Sequence, residues 1–254
     1  MILNFFRDYL KPKNTLSTSR PHNYPTKLNI GCGYDKRSGY LNVDIDSKCN
    51  PDLLLDADGN LDVLPRSYFS EILASDVLEH VPRSESLRNL LIWNDLLMKG
   101  GCLNIKTTDI ISLATRMVSD MTYAGHHGWT ICLFGNQAQP GDFHLTGFSD
   151  ITLEVLLSAA GFEVITKGHI DEWMFDWTAK KIDSWTEFVK EQKQLSDFEF
   201  LCNTYRRVFL RDLDEQGNMH YSNRLRIGQS RSEVYLDIAS SPEALFVKAR
   251  ALNK

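Results

Sequence analysis

From Lys27 onward, short apolar runs alternate with longer amphipathic ones. Lys27–Ile30 predicts a buried strand that ends in Gly31-Cys32-Gly33; Tyr40–Ile45, Asp52–Leu55 and Glu71–Ala74 predict three more. Leu87, Leu90, Leu91 and Leu97 recur at helical spacing through Ser84–Met98, and Lys99-Gly100-Gly101 is expected to end that helix in a left-handed glycine. Cys102–Lys106 reads as a fifth strand and Ile110–Met121 as a helix, whereas Tyr123–Phe148 reads as a long irregular segment of the kind that forms lids and substrate surfaces. Ser149 caps a helix over Asp150–Ala160, and Phe162–Thr166 with Trp173–Lys180 makes an antiparallel terminal hairpin. Phe175 and Trp177 alternate with polar residues, as does Trp173, and are read as the apolar face of the last strand. Strands alternating with helices require crossovers, so the expected fold is α/β, a mainly parallel sheet with both faces covered.

After Lys181 the pattern turns helical, over Trp185–Gln194, Phe198–Leu213, Tyr221–Leu225 and Glu233–Ile238. Residues 1–26, broken by Pro12, Pro21 and Pro25, read as an irregular arm, 27–181 as the α/β domain and 182–254 as a small all-helical accessory domain. A net charge of −5 disfavours a duplex nucleic-acid partner. The five cysteines contain no Cys-x-x-Cys pair, which points away from zinc or a disulfide framework and towards a reducing, cytoplasmic setting. The apolar run Met1–Phe6 is too short for a membrane span or a secretory leader.

In an open parallel sheet, ligands bind beyond the carboxyl ends of the strands. Each of the first four strands ends there in a polar or glycine signal: Gly31-Cys32-Gly33, Asp44, Asp56-Ala57-Asp58 and Ser75-Asp76. Glycine admits a ligand close to the backbone, and a carboxylate at the second tip can accept from both hydroxyls of a ribose. The long segment adds His126, His127, Asp142 and His144. His144 is the candidate general base, with Asp142 as its orienting partner; the alternative is a histidine that fixes the loop by hydrogen bonding. A metal held by these four is disfavoured, because adjacent histidines point apart on most backbones. His80 and Gln137 are candidates for the acceptor pocket.

Taken in order, Leu28-Asn29-Ile30-Gly31-Cys32-Gly33, Asn42-Val43-Asp44-Ile45-Asp46, Asp56-Ala57-Asp58, Ala74-Ser75-Asp76-Val77-Leu78-Glu79-His80, Met98-Lys99-Gly100-Gly101 and Ala160-Gly161-Phe162 resemble the class I S-adenosylmethionine-dependent methyltransferases. The resemblance implies a Rossmann-like fold and S-adenosylmethionine as cofactor. Gly31, Cys32 and Gly33 would lie along its methionine part, Asp44 and Ile45 at the ribose, Asp56 and Ala57 at the adenine, and Ser75 and Asp76 near the methionyl end. Asn29 departs from the acidic residue of many relatives. Tyr34-Asp35 replaces a third glycine, and the short interval to Asp44 implies that the first helix is abbreviated or lost. The segment from Phe200 to Glu243 resembles a helical domain, similar to phycobilisome-linker modules, that is fused to bacterial surface-polysaccharide enzymes. It implies docking to a partner or glycan, and with it O-methylation of a saccharide hydroxyl. A small-molecule or N-methyltransferase and a non-catalytic cofactor-binding adapter remain the alternatives.

Overall fold

Seven strands, β1 (Lys27–Ile30), β2 (Leu41–Asp44), β3 (Leu53–Leu54), β4 (Phe69–Ser75), β5 (Leu97–Thr108), β6 (Phe162–Ile170) and β7 (Met174–Lys181), form one sheet in the order β3-β2-β1-β4-β5-β7-β6. The first five run parallel, while β7 is antiparallel to both β5 and β6. The computed structural model that shows this describes residues 24–55, 61–138 and 140–254, the side chains of Asp62 and Pro140 excepted. Strand order reverses between β1 and β4, which opens a crevice at their carboxyl ends. The fold is thus a Rossmann-like α/β fold with an antiparallel terminal strand.

No helix joins β1 to β2, where Gly31–Tyr40 is a loop, and among the described residues β2, β3 and β4 are linked only by short 3-10 turns. Helix α1 (Ser86–Leu96) leads into β5, α2 (Ile110–Ser119) and α3 (Tyr123–Phe134) follow it, and α4 (Asp150–Ala159) precedes β6. Then come α5 (Trp185–Glu191), α6 (Asp197–Phe209), α7 (Glu215–Arg226), α8 (Arg231–Ala239) and α9 (Pro242–Ala251).

Three expectations are corrected. The first helix stops at Leu96, because Leu97 is already paired with Phe69; Gly100 (φ +75°) serves instead a register shift in which β5 bulges out before Cys102 meets Glu71. Tyr123–Phe148 is not irregular throughout: the Thr122 hydroxyl accepts from the Gly125 amide, Gly135 ends the turn, and the interval is α3. Nor, among the described residues, are both sheet faces closed by helices. Leu28, Ile30, Ile72, Ala74, Leu103, Ile105, Phe175, Trp177 and Ala179 form one fully buried face, in one core with α1, α4 and α5 to α9. The other face carries a polar ladder. Glu71 accepts from Tyr40, from Lys27 (2.9 Å) and from Asn104 (3.0 Å), whose side-chain oxygen accepts from Thr178 (2.9 Å). Polar side chains can be left partly in water on that face because they bond to one another. Trp173 lies in the turn before β7, half-buried, while Phe175 and Trp177 are buried as expected.

The C-terminal helices share that core with the sheet. Trp185 donates its indole N–H to the Leu91 carbonyl (2.9 Å) and stacks on Tyr235, and the buried Lys181 ammonium donates to the carbonyls of Asn94 (2.7 Å) and Leu97 (2.8 Å). Burial lowers the Lys181 pKa, against the pull of Asp95. The arginines of α6, α7 and the link between them are structural: Arg207 pairs with Asp183 and Tyr235, Arg211 with Asp214 and Glu243, and Arg224 with Asp237. Among the described residues, no helix is long and apolar enough to cross a membrane.

Candidate functional site

The β1 tip turns sharply through Gly31 (φ +61°) and Gly33 (φ +49°). A side chain at Gly31 would lie 2.5 Å from Val77 Cγ2, so only glycine lets the turn pack against the segment that follows β4. Gly31→Ala combines a strained backbone with a clash, which together should cost about 2–4 kcal/mol and lower the thermal midpoint by several degrees. A scanning calorimetry midpoint equal to the parent's would contradict this packing.

Side chains do the work of the missing helix. The Asn29 amide donates to the Asp35 carbonyl (2.9 Å) and to Asn42 Oδ1 (3.1 Å), while Asn42 Nδ2 donates to Asp52 (2.9 Å) and Asn42 Oδ1 accepts from the Arg37 amide (2.8 Å). This explains the departure at position 29, since a carboxylate could not donate to either partner. Lys36 joins the network through Asp52 (3.0 Å) and the Asn50 carbonyl (2.8 Å). The Cys32 side chain is buried, and burial pushes its thiol up to about 11, so this residue can meet a ligand only through its backbone.

At the β2 tip, Asp44 is 8% exposed, and each of its oxygens is fixed by a main-chain amide: Oδ2 by Gly33 (2.7 Å) and Oδ1 by Asp46 (2.8 Å). A carboxylate has about four acceptor sites, so two bonds orient it and leave capacity for two more donors. Beside it Ile45 is 54% and Tyr34 82% exposed, apolar surface standing open at the crevice. In front of Gly33 there is space, since a Cβ there would meet nothing within 4 Å. Asp56 and Ala57 lie outside the described residues.

Beyond β4, Ser75 Oγ donates to Asp76 (3.3 Å), and Asp76, in a left-handed conformation (φ +54°), donates its amide to the Lys106 carbonyl (3.1 Å). His80 lies one turn further on. Its Nδ1 is 3.1 Å from the Phe143 carbonyl; a carbonyl only accepts, so Nδ1 carries a proton. The His80 ring meets His144 edge to face, centroids 4.7 Å apart. Thus two of the histidines singled out from separate segments converge. Burial, then the neighbouring His80, lowers the His144 pKa, against the Cys132 carbonyl and Asp76.

The remaining candidates disperse. His144 Nδ1 is buried without a hydrogen-bond partner, so Asp142 does not orient the ring through that nitrogen. Gln137 is exposed in a left-handed turn, with its amide on the Phe134 carbonyl (3.3 Å). His126 is tied to the Asp120 carbonyl, and His127 stacks on Tyr123. Sequence reasoning missed Asp109, which caps α2 and is bonded to His169 (2.9 Å); the single residue between strand and helix was its signal.

Glu79 belongs to the Ala74–His80 motif. It is fully buried, with Oε2 accepting from the Thr107 hydroxyl (2.9 Å) and Oε1 without a partner. Burial pushes its carboxyl up to about 7, reinforced by Asp76 and opposed by its own amide and the hydroxyls of Thr107 and Thr108. The unfolded chain ionises this group near 4.5 and the folded chain only near 7, so between those values the fold loses stability as pH rises. Glu79→Gln, uncharged throughout, removes a deficit on the order of 3 kcal/mol. Its thermal midpoint should exceed the parent's at about pH 8 and approach it near pH 4.5, the ordinary value. Parallel midpoint curves for the two proteins would contradict this assignment.

Residues 179–246 match a family model described as a domain of unknown function, DUF4214. No curated protein matches the chain. Among solved structures, a protein of Bordetella parapertussis described as a possible exported protein aligns over 63% of this chain and 63% of its own, at 13% identity and a TM-score of 0.45. The 1,6-didemethyltoxoflavin-N1-methyltransferase of Burkholderia thailandensis, solved with its namesake compound and S-adenosylhomocysteine, aligns over 62% of this chain and 71% of its own, at 16% identity and a TM-score of 0.44. A SAM-dependent methyltransferase of Archaeoglobus fulgidus aligns over 71% and 91%, at 16% identity and a TM-score of 0.45. Likeness at this level transfers no activity, and the chemistry must come from the residues themselves.

Proposed function

We propose that the chain is an S-adenosylmethionine-dependent methyltransferase, acting on a saccharide hydroxyl of a bacterial surface glycan. The observation that carries the reading is Asp44. Its carboxylate is oriented by two amides at the second strand tip, beside a glycine turn with open space before it and next to the strand-order reversal. That arrangement suits a ribose at Asp44 and Ile45, with Gly31 and Gly33 along the methionine part and Ser75 and Asp76 at the methionyl end; for Asp56 and Ala57 the adenine role rests on the sequence resemblance alone. S-adenosylmethionine supplies an electrophilic methyl group on a sulfonium.

The protein's part is alignment and proton removal. A sugar hydroxyl is barely ionised at neutral pH, so a neutral imidazole beside it is an effective base. His144 is read as that base, Asp142 as a residue of its loop, and His80 and Gln137 as acceptor contacts. The depression of the His144 pKa keeps its ring neutral at physiological pH. The acceptor class rests on the resemblance of the C-terminal segment alone, as does a docking role for that segment.

Calorimetric titration with S-adenosylhomocysteine tests the cofactor; a silent titration at millimolar ligand would refute it. Mass spectrometry of glycans from cells with and without the gene tests the acceptor, with loss of one methyl group expected. Unchanged glycans would remove the saccharide while leaving the cofactor in place.

A further inference from the structure

Glu79 stands where three parts of the site meet. Its side chain reaches β5 through Thr107. Its main-chain carbonyl accepts from the amides of Leu145 (2.7 Å) and Thr146 (3.1 Å), directly after His144, and its chain neighbour is His80. One residue therefore fastens the loop that bears one imidazole to the turn that bears the other. A carboxylate in that position would be poorly served, because it is fully buried, its Oε1 has no hydrogen-bond partner and Asp76 bears on it with a like charge. The buried Thr108 hydroxyl borders it on β5. That hydroxyl can donate to a carboxylate or accept from an acid; burial and Asp76 favour the acid, whose proton on Oε1 would go to Thr108. The titratable groups around it are Asp76 and His80 on its own turn and His144 on the loop; on β5 it meets the two threonines, with Asp109 beyond them already committed to His169 and Ser112.

We propose that Glu79 is a positioning residue that works as the uncharged acid, holding the His80 and His144 rings in contact, and that its ionisation releases the loop that carries His144. The idea deepens the methyltransferase reading and rests on it for its catalytic meaning, although the contact itself can be observed without turnover. In this view methyl transfer has an upper pH limit set by Glu79, distinct from the lower limit set by deprotonation of the base.

The test follows imidazole resonances of the full-length protein labelled with 13C-histidine, saturated with S-adenosylhomocysteine, from about pH 6 to about pH 9. In the parent, the signals of His144 and His80 should both move in a step near pH 7 that follows Glu79. In Glu79→Gln that step should vanish, and methyl transfer should lose its alkaline decline, staying within about twofold where the parent falls about tenfold. Identical steps in parent and variant would overturn the proposal. Should the variant fail to fold, infrared spectra of the parent decide. At about pH 6 ordinary carboxylates are ionised, so a carboxylic-acid carbonyl band that disappears on alkalinisation is expected, and absence of the band overturns the proposal. Loss of S-adenosylhomocysteine binding in the parent would instead count against the cofactor reading, so the two failures are separable.

Discussion

A His144→Ala protein is expected to bind S-adenosylhomocysteine as the parent does while transferring methyl groups roughly two to four orders of magnitude more slowly, the usual contribution of a positioned general base. The expectation comes from placement: the ring sits against His80 beside the Asp76 turn, at the carboxyl edge of the sheet. Desolvation and His80 both favour the neutral ring, so the rate should rise with pH through a midpoint below the ordinary histidine value of 6.5. The check is transfer of labelled methyl to glycan from cells lacking the gene, with calorimetry on the same samples. Undiminished transfer would dismiss His144. A loss confined to His80→Ala would move the role to His80, whose ring is held through Nδ1 by the Phe143 carbonyl.

Asp44→Ala should weaken S-adenosylhomocysteine binding on the order of 100-fold, since two hydrogen bonds to a charged acceptor contribute about 3 kcal/mol or more together. The loss has a second source. The amides of Gly33 and Asp46 are left without their acceptor, and the loop that should meet the methionine part loses an anchor. Asp44→Asn should fall between, because one of the two amides would then face an NH2 group. Calorimetric titration reads both variants, and parental affinity in Asp44→Ala would end the ribose assignment.

The strands and the glycine or carboxylate at their carboxyl tips were legible because each rests on local signals: a few apolar residues, then glycine or aspartate. The one-sided burial of the sheet was legible too, although read otherwise. Lys27-Leu28-Asn29-Ile30 and Asp176-Trp177-Thr178-Ala179-Lys180 alternate strictly, which is the mark of a strand with one apolar face, whereas strands covered on both sides read as continuous hydrophobic runs. Helix α3 was hidden because Gly125 and Gly128 lower helix propensity, while its start depends on a single hydroxyl at Thr122. The His80 and His144 contact could not be read from the chain at all. Sixty-four positions separate the rings, and they meet only because the Glu79 carbonyl captures the following loop.

The burial of Trp185 beneath α1 limits how the molecule can be divided. A cut between the sheet and the helices after it would strand an indole whose acceptor, the Leu91 carbonyl, lies across the cut, and would strip α1 of its outer cover. The C-terminal segment is thus a wall of the same building, not a passenger on a tether, and both halves should melt in a single calorimetric transition. Because α1 begins six residues after His80, a load pressed on the outside of that wall has a short, stiff route to the turn bearing the imidazole.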